Sequence, residues 1–201
     1  MTRRNNLSRR DILAATMLWP VVSNAKSGDI STTKDSKSKS DVLVVYFSRS
    51  GNTRVIAGQI QRALNTTIFE IQPAKSYPDD YEKTVAQAQI ERDTNFKPPL
   101  KSTVPDFENY TTVFLGFPIW GQTAPPVIRA FLTAHNLTGK TLIPFITHGG
   151  YGLGNSVSVI KSHAPQAKLL EGFSLQADQE KQTLNRVTNW LGQINSKRKA
   201  T

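Results

Sequence analysis

The sequence of 201 residues contains no cysteine. Without thiols the chain forms no disulfide, offers no cysteine nucleophile and supplies no ligand for an iron–sulfur cluster or a cysteine-type zinc site. The three histidines, His135, His148 and His163, show no metal-ligand spacing, and no Gly-x-Ser-x-Gly motif is present. The sequence therefore predicts no metal site and no catalytic side chain, and it argues against a hydrolase.

Acidic residues are also few, with 15 Asp and Glu against 25 Lys and Arg, for a net charge of +10. The excess lies near the two ends of the chain: residues 1–25, 26–40 and 197–199 carry +3, +2 and +3. Residues 41–195 retain only +2. Nucleic-acid-binding domains concentrate basic residues on their folded surface. The charge distribution therefore predicts no nucleic-acid partner.

Long hydrophobic runs are nearly absent. Residues 12–22 are predominantly apolar, but as a helix they would span only about 16 Å of a bilayer core of about 30 Å, so we expect no stable membrane anchor. Arginines precede this run and the small residues 23–25 follow it, which is the order of a signal peptide. Ser8-Arg9-Arg10 resembles the twin-arginine export signal. Residues 1–25 are therefore predicted to direct export to the periplasm.

The rest of the chain divides by composition. Residues 26–40 are rich in Ser, Thr and Lys and are predicted to form a disordered linker, and residues 196–201 a basic tail. Between them, residues 41–195 alternate apolar strand patterns with helical patterns, which predicts a single α/β domain. The predicted strands are 42–47, 67–71, 112–117, 141–146 and 168–173, and the predicted helices are 53–64, 78–93, 126–135, 155–163 and 178–194.

The composition of these strands predicts their order in the sheet. The first, third and fourth strands are continuously hydrophobic, whereas polar residues dilute the second and fifth. Interior strands of a parallel sheet are covered on both faces, so the three hydrophobic strands belong in the middle. We therefore predict a doubly wound, five-stranded parallel sheet with the order 2-1-3-4-5. Ligands bind such sheets beyond the carboxyl ends of the strands, where the strand order reverses.

The loop after the first strand has the composition of a phosphate-binding loop. Gly51 permits backbone angles that direct N–H groups inward, and the following helix begins with unpaired N–H groups and a positive dipole. The hydroxyls of Ser48, Ser50 and Thr53 are further donors, and Asn52 lies among them. The loop is neither a Walker loop nor a Gly-x-Gly-x-x-Gly dinucleotide motif.

The loops after the third and fourth strands supply flat surfaces and close backbone approach. Trp120 lies in a loop beside glycine and proline, where a ring is available for stacking on an aromatic ligand. Tyr151 lies in a loop with four glycines between residues 149 and 154 and offers a second ring. Tyr77, Tyr81 and Phe96 fit either the rim of the same pocket or ordinary packing.

With these motifs in place, residues 41–195 resemble the flavodoxin family, whose flavodoxin-like members carry Tyr-Phe-Ser-x-Ser/Thr-Gly-Asn-Thr, Gly-x-Pro-x-Trp and Thr-His-Gly-Gly. The resemblance implies a flavodoxin-like fold that binds FMN. Its phosphate would lie at Ser48 to Thr53, and backbone groups near Gly121 would contact the N5 edge of the flavin. The implied cofactor-binding residues are Ser48, Ser50, Gly51, Asn52, Thr53, Pro118, Ile119, Trp120, Gly121, Thr147, His148, Gly149, Gly150, Tyr151 and Gly152.

The resemblance implies an electron carrier that exchanges electrons with a redox partner protein or with a small donor or acceptor. Two alternatives stay open: an FMN-dependent NAD(P)H:quinone-type oxidoreductase, and a flavin-free binding module on the same fold. Segments 116–126 and 147–156 contain no Asp or Glu, unlike the acidic surroundings of FMN in typical flavodoxins. Negative charge disfavours the reduced, anionic flavin, so we expect a less strongly reducing cofactor here.

Overall fold

The computed structural model describes residues 40–176 and 180–199. The predicted signal peptide over residues 1–25 and residues 26–39 of the predicted linker lie outside these ranges. Within them, no helix is both long and apolar enough to cross a membrane.

Strands and helices alternate along the described residues, and every strand pair is parallel. The strand order β2-β1-β3-β4-β5, with β6 also paired to β4, confirms the predicted fold class and order. The elements are β1 (Val42–Tyr46), α1 (Asn52–Leu64), β2 (Thr67–Glu70), α2 (Tyr81–Asp93), β3 (Thr112–Pro118), α3 (Pro126–Ala134), β4 (Thr141–His148), α4 (Ser156–His163), β5 (Lys168–Leu169), β6 (Phe173–Gln176) and α5 (Glu180–Lys199), with a short 3₁₀ helix at Phe107–Asn109 before β3.

The predicted fifth strand, 168–173, is wrong as a continuous strand, because a bulge divides it into β5 and β6. Residues 142–145 of β4 lie opposite residues 169–173 of the edge strand. The edge strand therefore has one residue more than β4 over this stretch. Pro144 lies inside this stretch of β4 and has no N–H to donate to a ladder. Gly172 fits against it, since a Cβ there would lie 2.4 Å from the Pro144 carbonyl oxygen.

Two predicted helix bounds also differ from the structure. Helix α2 begins at Tyr81 rather than Pro78, because Asp80 caps it by accepting a 2.8 Å hydrogen bond from the N–H of Lys83. Helix α5 continues to Lys199, so most of the predicted basic tail is helical. No proline or glycine interrupts residues 195–199, and their basic side chains favour the negative end of the helix dipole.

The sheet is buried between two apolar layers, because successive strand side chains point to opposite faces. On one face, Leu43 and Val45 of β1 join a cluster that includes side chains of α3 and α4. On the other face, Val42 and Val44 join a cluster that includes side chains of α1 and α5. The buried side chains of these helices in the two clusters are Val127, Ile128, Phe131, Leu132, Val159 and Ile160 on the first face, and Ile56, Ala57, Ile60, Val187, Leu191 and Ile194 on the second.

His135, just after α3, is buried and holds two segments together. Its Nδ1–H donates to the carbonyl of Phe131 at 3.0 Å, and its Nε2 accepts from the N–H of Val104 at 3.0 Å. These two bonds require the neutral ring, with the proton on Nδ1. Burial lowers the pKa of His135, and the bond to Phe131 opposes that shift.

The lowered pKa of His135 predicts that the protein loses stability in mild acid. The unfolded chain takes up a proton near the ordinary histidine pKa of 6.5 before the folded chain does, so acid favours unfolding. We expect the urea-derived free energy of unfolding to fall between about pH 7.5 and pH 5.5. In His135→Gln, which retains His148 and His163, this fall should be smaller. Equal pH dependence in the two proteins would contradict the assignment.

Candidate functional site

The loops that follow β1, β3 and β4 are joined at the carboxyl edge of the sheet. The buried hydroxyls of Thr53 and Thr147 share a hydrogen bond of 2.9 Å, which links the start of α1 to β4. The N–H of Ile119 donates to the carbonyl of Thr147 at 2.8 Å, which links the β3 loop to the same strand. The structure therefore brings together the three segments that sequence reasoning placed at one crevice.

The β1–α1 loop presents the start of α1 without a side-chain cap. Gly51 has a φ of 97°, and no side chain bonds to the first N–H groups of the helix. Ser48 Oγ instead accepts from the N–H of Gly51 at 3.1 Å, and the hydroxyl of Thr53 is engaged with Thr147. Ser50 is exposed and Asn52 half-buried. No acidic residue occupies the first helical turn, so the loop suits an anionic group such as phosphate.

A cavity of about 590 Å³ opens beside this loop, on the β2 side. Its wall includes Ser48 but none of the other predicted site residues, because most of it comes from the segment after β2. Of that segment, sequence reasoning named only Tyr77, as a residue of the pocket rim or of ordinary packing, because the rest of the segment carries no recognisable motif. The lining residues are Phe47, Ser48, Arg49, Arg54, Glu70, Ile71, Gln72, Pro73, Ala74, Ser76, Tyr77, Pro78, Asp79 and Lys101.

The β3–α3 loop contains a tight turn from Trp120 to Thr123. The N–H of Trp120 donates to the carbonyl of Thr123 at 3.0 Å, and the N–H of Thr123 donates back at 3.3 Å. Both central residues have positive φ, 55° at Gly121 and 63° at Gln122, as a type I′ turn requires. Glycine accepts this geometry freely, whereas glutamine is strained by it. Pro118 and Ile119 lead into the turn and are half-buried.

Contacts from two other elements hold this turn in place. The carbonyl of Gln122 accepts a 3.0 Å hydrogen bond from the N–H of Asn155, at the start of α4. Gly154 lies so close that a Cβ there would be 1.8 Å from the same carbonyl oxygen. From α2, the guanidinium of Arg92 lies against Gly121, where a Cβ would be 2.8 Å from Nη1. The strained turn is therefore fixed by its surroundings.

Trp120 belongs to a group of three aromatic rings. It packs edge-on against Tyr77 and Phe47, with centroid distances of 4.8 and 5.2 Å. The hydroxyl of Tyr77 donates to Oε2 of the buried Glu91 at 2.7 Å. Burial, followed by this bond to Glu91, raises the pKa of Tyr77. Tyr77 thus takes a packing position against Trp120, whereas Tyr81 and Phe96 are mainly exposed.

The β4–α4 loop exposes most of its predicted binding residues. Tyr151 is 88% exposed, so its ring is free to cover a ligand. His148 Nδ1 accepts from the N–H of Gly150 at 3.1 Å, which fixes the local backbone. Gly149 is exposed, and Gly152 is half-buried with a φ of 72°.

The comparison with known proteins agrees with this fold. A family model described as Flavodoxin matches residues 41–194, and the chain belongs to the flavodoxin family. No curated protein sequence matches the chain.

Solved structures resemble the chain over most of its length. A candidate flavoprotein from Bacteroides eggerthii shares 33% identity, with a TM-score of 0.65 over 77% of this chain and 97% of its own. One from Bacteroides uniformis shares 29% identity, with a TM-score of 0.66 over 75% and 99%. A flavoprotein from Lactobacillus acidophilus, solved in complex with FMN, shares the fold at 21% identity, with a TM-score of 0.61 over 72% and 97%.

The contact between Gly154 and the Trp120–Thr123 turn predicts an asymmetry between two neighbouring glycines. Gly154→Ala adds a methyl group against a backbone carbonyl at a φ of 52°, so we expect it to destabilise the fold by about 1–3 kcal/mol. Gly149→Ala is the matched control, since no atom lies within 4 Å of its added Cβ. Urea unfolding of both variants measures the difference, and equal stabilities would contradict the close contact.

Proposed function

We propose that the chain is an exported electron-transfer protein that binds FMN non-covalently. The observation that carries the proposal is the start of α1, which has no side-chain cap. Thr53 in its first turn hydrogen-bonds to Thr147 of β4 and so links the helix to the β3 and β4 loops. A phosphate-binding loop and two ring-bearing loops thus meet where the strand order reverses. The FMN complex of the Lactobacillus acidophilus flavoprotein, which shares this fold, supports the same cofactor.

The residues of the site would hold FMN at two places, its phosphate and its ring system. The first N–H groups of α1, with the side chains of Ser50 and Asn52, would hold the phosphate. The ring system would lie between Trp120 and Tyr151, one half-buried and the other exposed. The cofactor supplies one- and two-electron chemistry, and the protein binds it, orients it and sets its electrostatic surroundings.

The surroundings of this site are electropositive. The flanking loops lack acidic residues, and Arg92 and Arg129 lie beside the turn that would contact the N5 edge. Glu91 lies near Trp120, because Tyr77 contacts both residues. The carboxylate of Glu91 accepts hydrogen bonds from Tyr77 and Gln87, and neither bond involves the two arginines. Positive charge favours the anionic, reduced cofactor. We infer that FMN bound here is less strongly reducing than in acidic flavodoxins.

Export is the further part of the proposal. It rests on the Ser8-Arg9-Arg10 motif and the apolar run that follows it. Twin-arginine export carries folded proteins, which suits a cofactor held without a covalent bond. Export is tested separately from FMN binding, by cell fractionation that compares the location of the full chain with that of the variant Arg9→Lys/Arg10→Lys.

FMN binding is tested by titration with fluorescence detection. Gly51→Ala places a side chain at a φ of 97° and should move the loop N–H groups, which weakens FMN binding by about tenfold or more. The matched control is Gly139→Ala, since Gly139 also has a positive φ with open space around it, and it lies in the loop before β4, at the other edge.

Three outcomes decide between the open functions. Binding by the wild type and by Gly139→Ala, with loss in Gly51→Ala, supports the proposal. No binding of FMN by the wild type overturns it in favour of a flavin-free module. Steady-state oxidation of NAD(P)H with a quinone by the FMN-loaded protein would instead support the oxidoreductase.

The electropositive surroundings are tested by spectroelectrochemical titration of the bound cofactor. Gln122→Glu adds one negative charge to the turn with little change in shape. A charge about 8 Å away at an effective dielectric of about 20–40 changes the energy by about 1–2 kcal/mol, so the midpoint potential should fall by several tens of millivolts. Gln166→Glu, an exposed site near the other edge, is the control. A potential as low as that of acidic flavodoxins in the wild type would refute the inference.

A further inference from the structure

Two arginines from different helices meet at the Trp120–Thr123 turn. Arg92, in the last turn of α2, places its guanidinium against Gly121, with Nη1 2.8 Å and Nη2 3.1 Å from the position a Cβ would take. Arg129, in α3, donates from Nη2 to Oγ1 of Thr123 at 3.3 Å. The ends of such a turn lie within about 7 Å of each other. We call Arg92 and Arg129 the arginine pair.

No carboxylate pairs with either guanidinium among the described residues, where the ion pairs join Arg54 to Glu70 and Lys197 to Glu171. Glu91, next to Arg92 in sequence, accepts hydrogen bonds from Tyr77 and Gln87 instead. Burial, and then the charge of Arg92, lower the pKa of Arg129. The two cations therefore repel each other without a compensating negative charge from this part of the chain.

Full hydration would be the ordinary way to stabilise two neighbouring cations, but both side chains are half-buried. Nε of Arg129 is shielded from solvent and has no hydrogen-bond partner within the described residues. Water screens such a charge less than it screens an exposed one. An oxyanion would relieve the repulsion and accept hydrogen bonds from the planar guanidinium groups.

We propose that the arginine pair binds the carboxylate of a small-molecule redox substrate beside the flavin. The substrate role rests on the proposed function, because Gly121 belongs to the turn expected at the N5 edge of FMN. A small molecule fits better than an acidic protein surface, because both side chains are half-buried and Nε of Arg129 is shielded from solvent. The carboxylate would hold the rest of the substrate next to the ring.

The test uses malonate as a probe carboxylate, with chloride at matched ionic strength as the reference. The FMN-loaded wild type should bind malonate saturably by calorimetry, with a rise in thermal midpoint. Arg92→Gln and Arg129→Gln should each weaken that binding by about tenfold or more. Arg92→Lys should lose part of it, since lysine keeps the charge without the planar fork. Arg62→Gln, an exposed site on α1, is the matched control.

The chloride reference separates binding from a merely structural role. Without malonate, Arg129→Gln should be at least as stable as the wild type, because the substitution removes the repulsion. A structural role for Arg129 would instead lower stability equally in chloride and malonate. That result would overturn the proposal. So would the absence of a saturable malonate response in the wild type, or an unchanged response in the double variant Arg92→Gln/Arg129→Gln.

Two further measurements complete the test. The first identifies the source of the carboxylate, and the second separates this proposal from the proposed function. A glutamate-rich decapeptide that binds much more tightly than malonate, and depends on the arginine pair, would indicate a partner protein and overturn the small-molecule assignment. Repeating the malonate titration without FMN keeps the proposals separate. If the chain fails to bind FMN, the proposed function falls, while the malonate response of the two variants still decides the anion site.

Discussion

Parallel pairing of β1, β3 and β4 is the constraint on which the rest of this molecule depends. Because the three strands run in the same direction, their loops emerge at one edge of the sheet. A shift of register by one residue would move each side chain of β1 from one apolar cluster to the other, so the register depends on how the side chains fit within the two clusters. The hydrogen bond between Thr53 and Thr147 then joins the first loop to the third across this edge.

The same constraint explains how a strained turn persists in the β3 loop. Gln122 has a φ of 63°, which costs a non-glycine residue about 1 kcal/mol or more. Its carbonyl accepts from Asn155, and Gly154 and Arg92 pack closely on the two sides of the turn. A free loop would relax to a different geometry. A loop held by α2 and by the start of α4 keeps its backbone groups in one orientation, as the proposed contact with a flavin would require.

The sequence was sufficient for the fold because its signals were local and periodic. Hydrophobic strands and amphipathic helices predicted the α/β class, and strand composition predicted the order around β1, β3 and β4. The break between β5 and β6 was missed because it depends on Pro144 in the neighbouring strand, which a pattern along residues 168–173 does not contain. The start of α2 was missed for a smaller reason, since Asp79 and Asp80 are equally suited to cap a helix.

The candidate site could be predicted from the sequence only where it is built from contiguous loops. The Gly51 loop and the loops of Trp120 and Tyr151 are each recognisable in the sequence. The arginine pair is not, because its two members reach the site through α2 and α3, and nothing in their sequence neighbourhood indicates what they contact. Tyr77 could be proposed from the sequence for the rim or for packing, but its contact with Trp120 could not. The positions of the two arginines depend on how α2 and α3 pack beside the turn.

The arginine pair gives the candidate site its electrostatic character. Glu91 is buried near Trp120, yet it accepts hydrogen bonds from Tyr77 and Gln87, and Arg92 has no ion-pair partner among the described residues. The buried carboxylate of Glu91 is thus bonded by neutral donors and not by the arginine pair. The acid-free loops would by themselves leave the turn nearly neutral. The two guanidinium groups make it positive, and beside the proposed cofactor a positive turn would favour both the reduced anion and the approach of an anionic substrate.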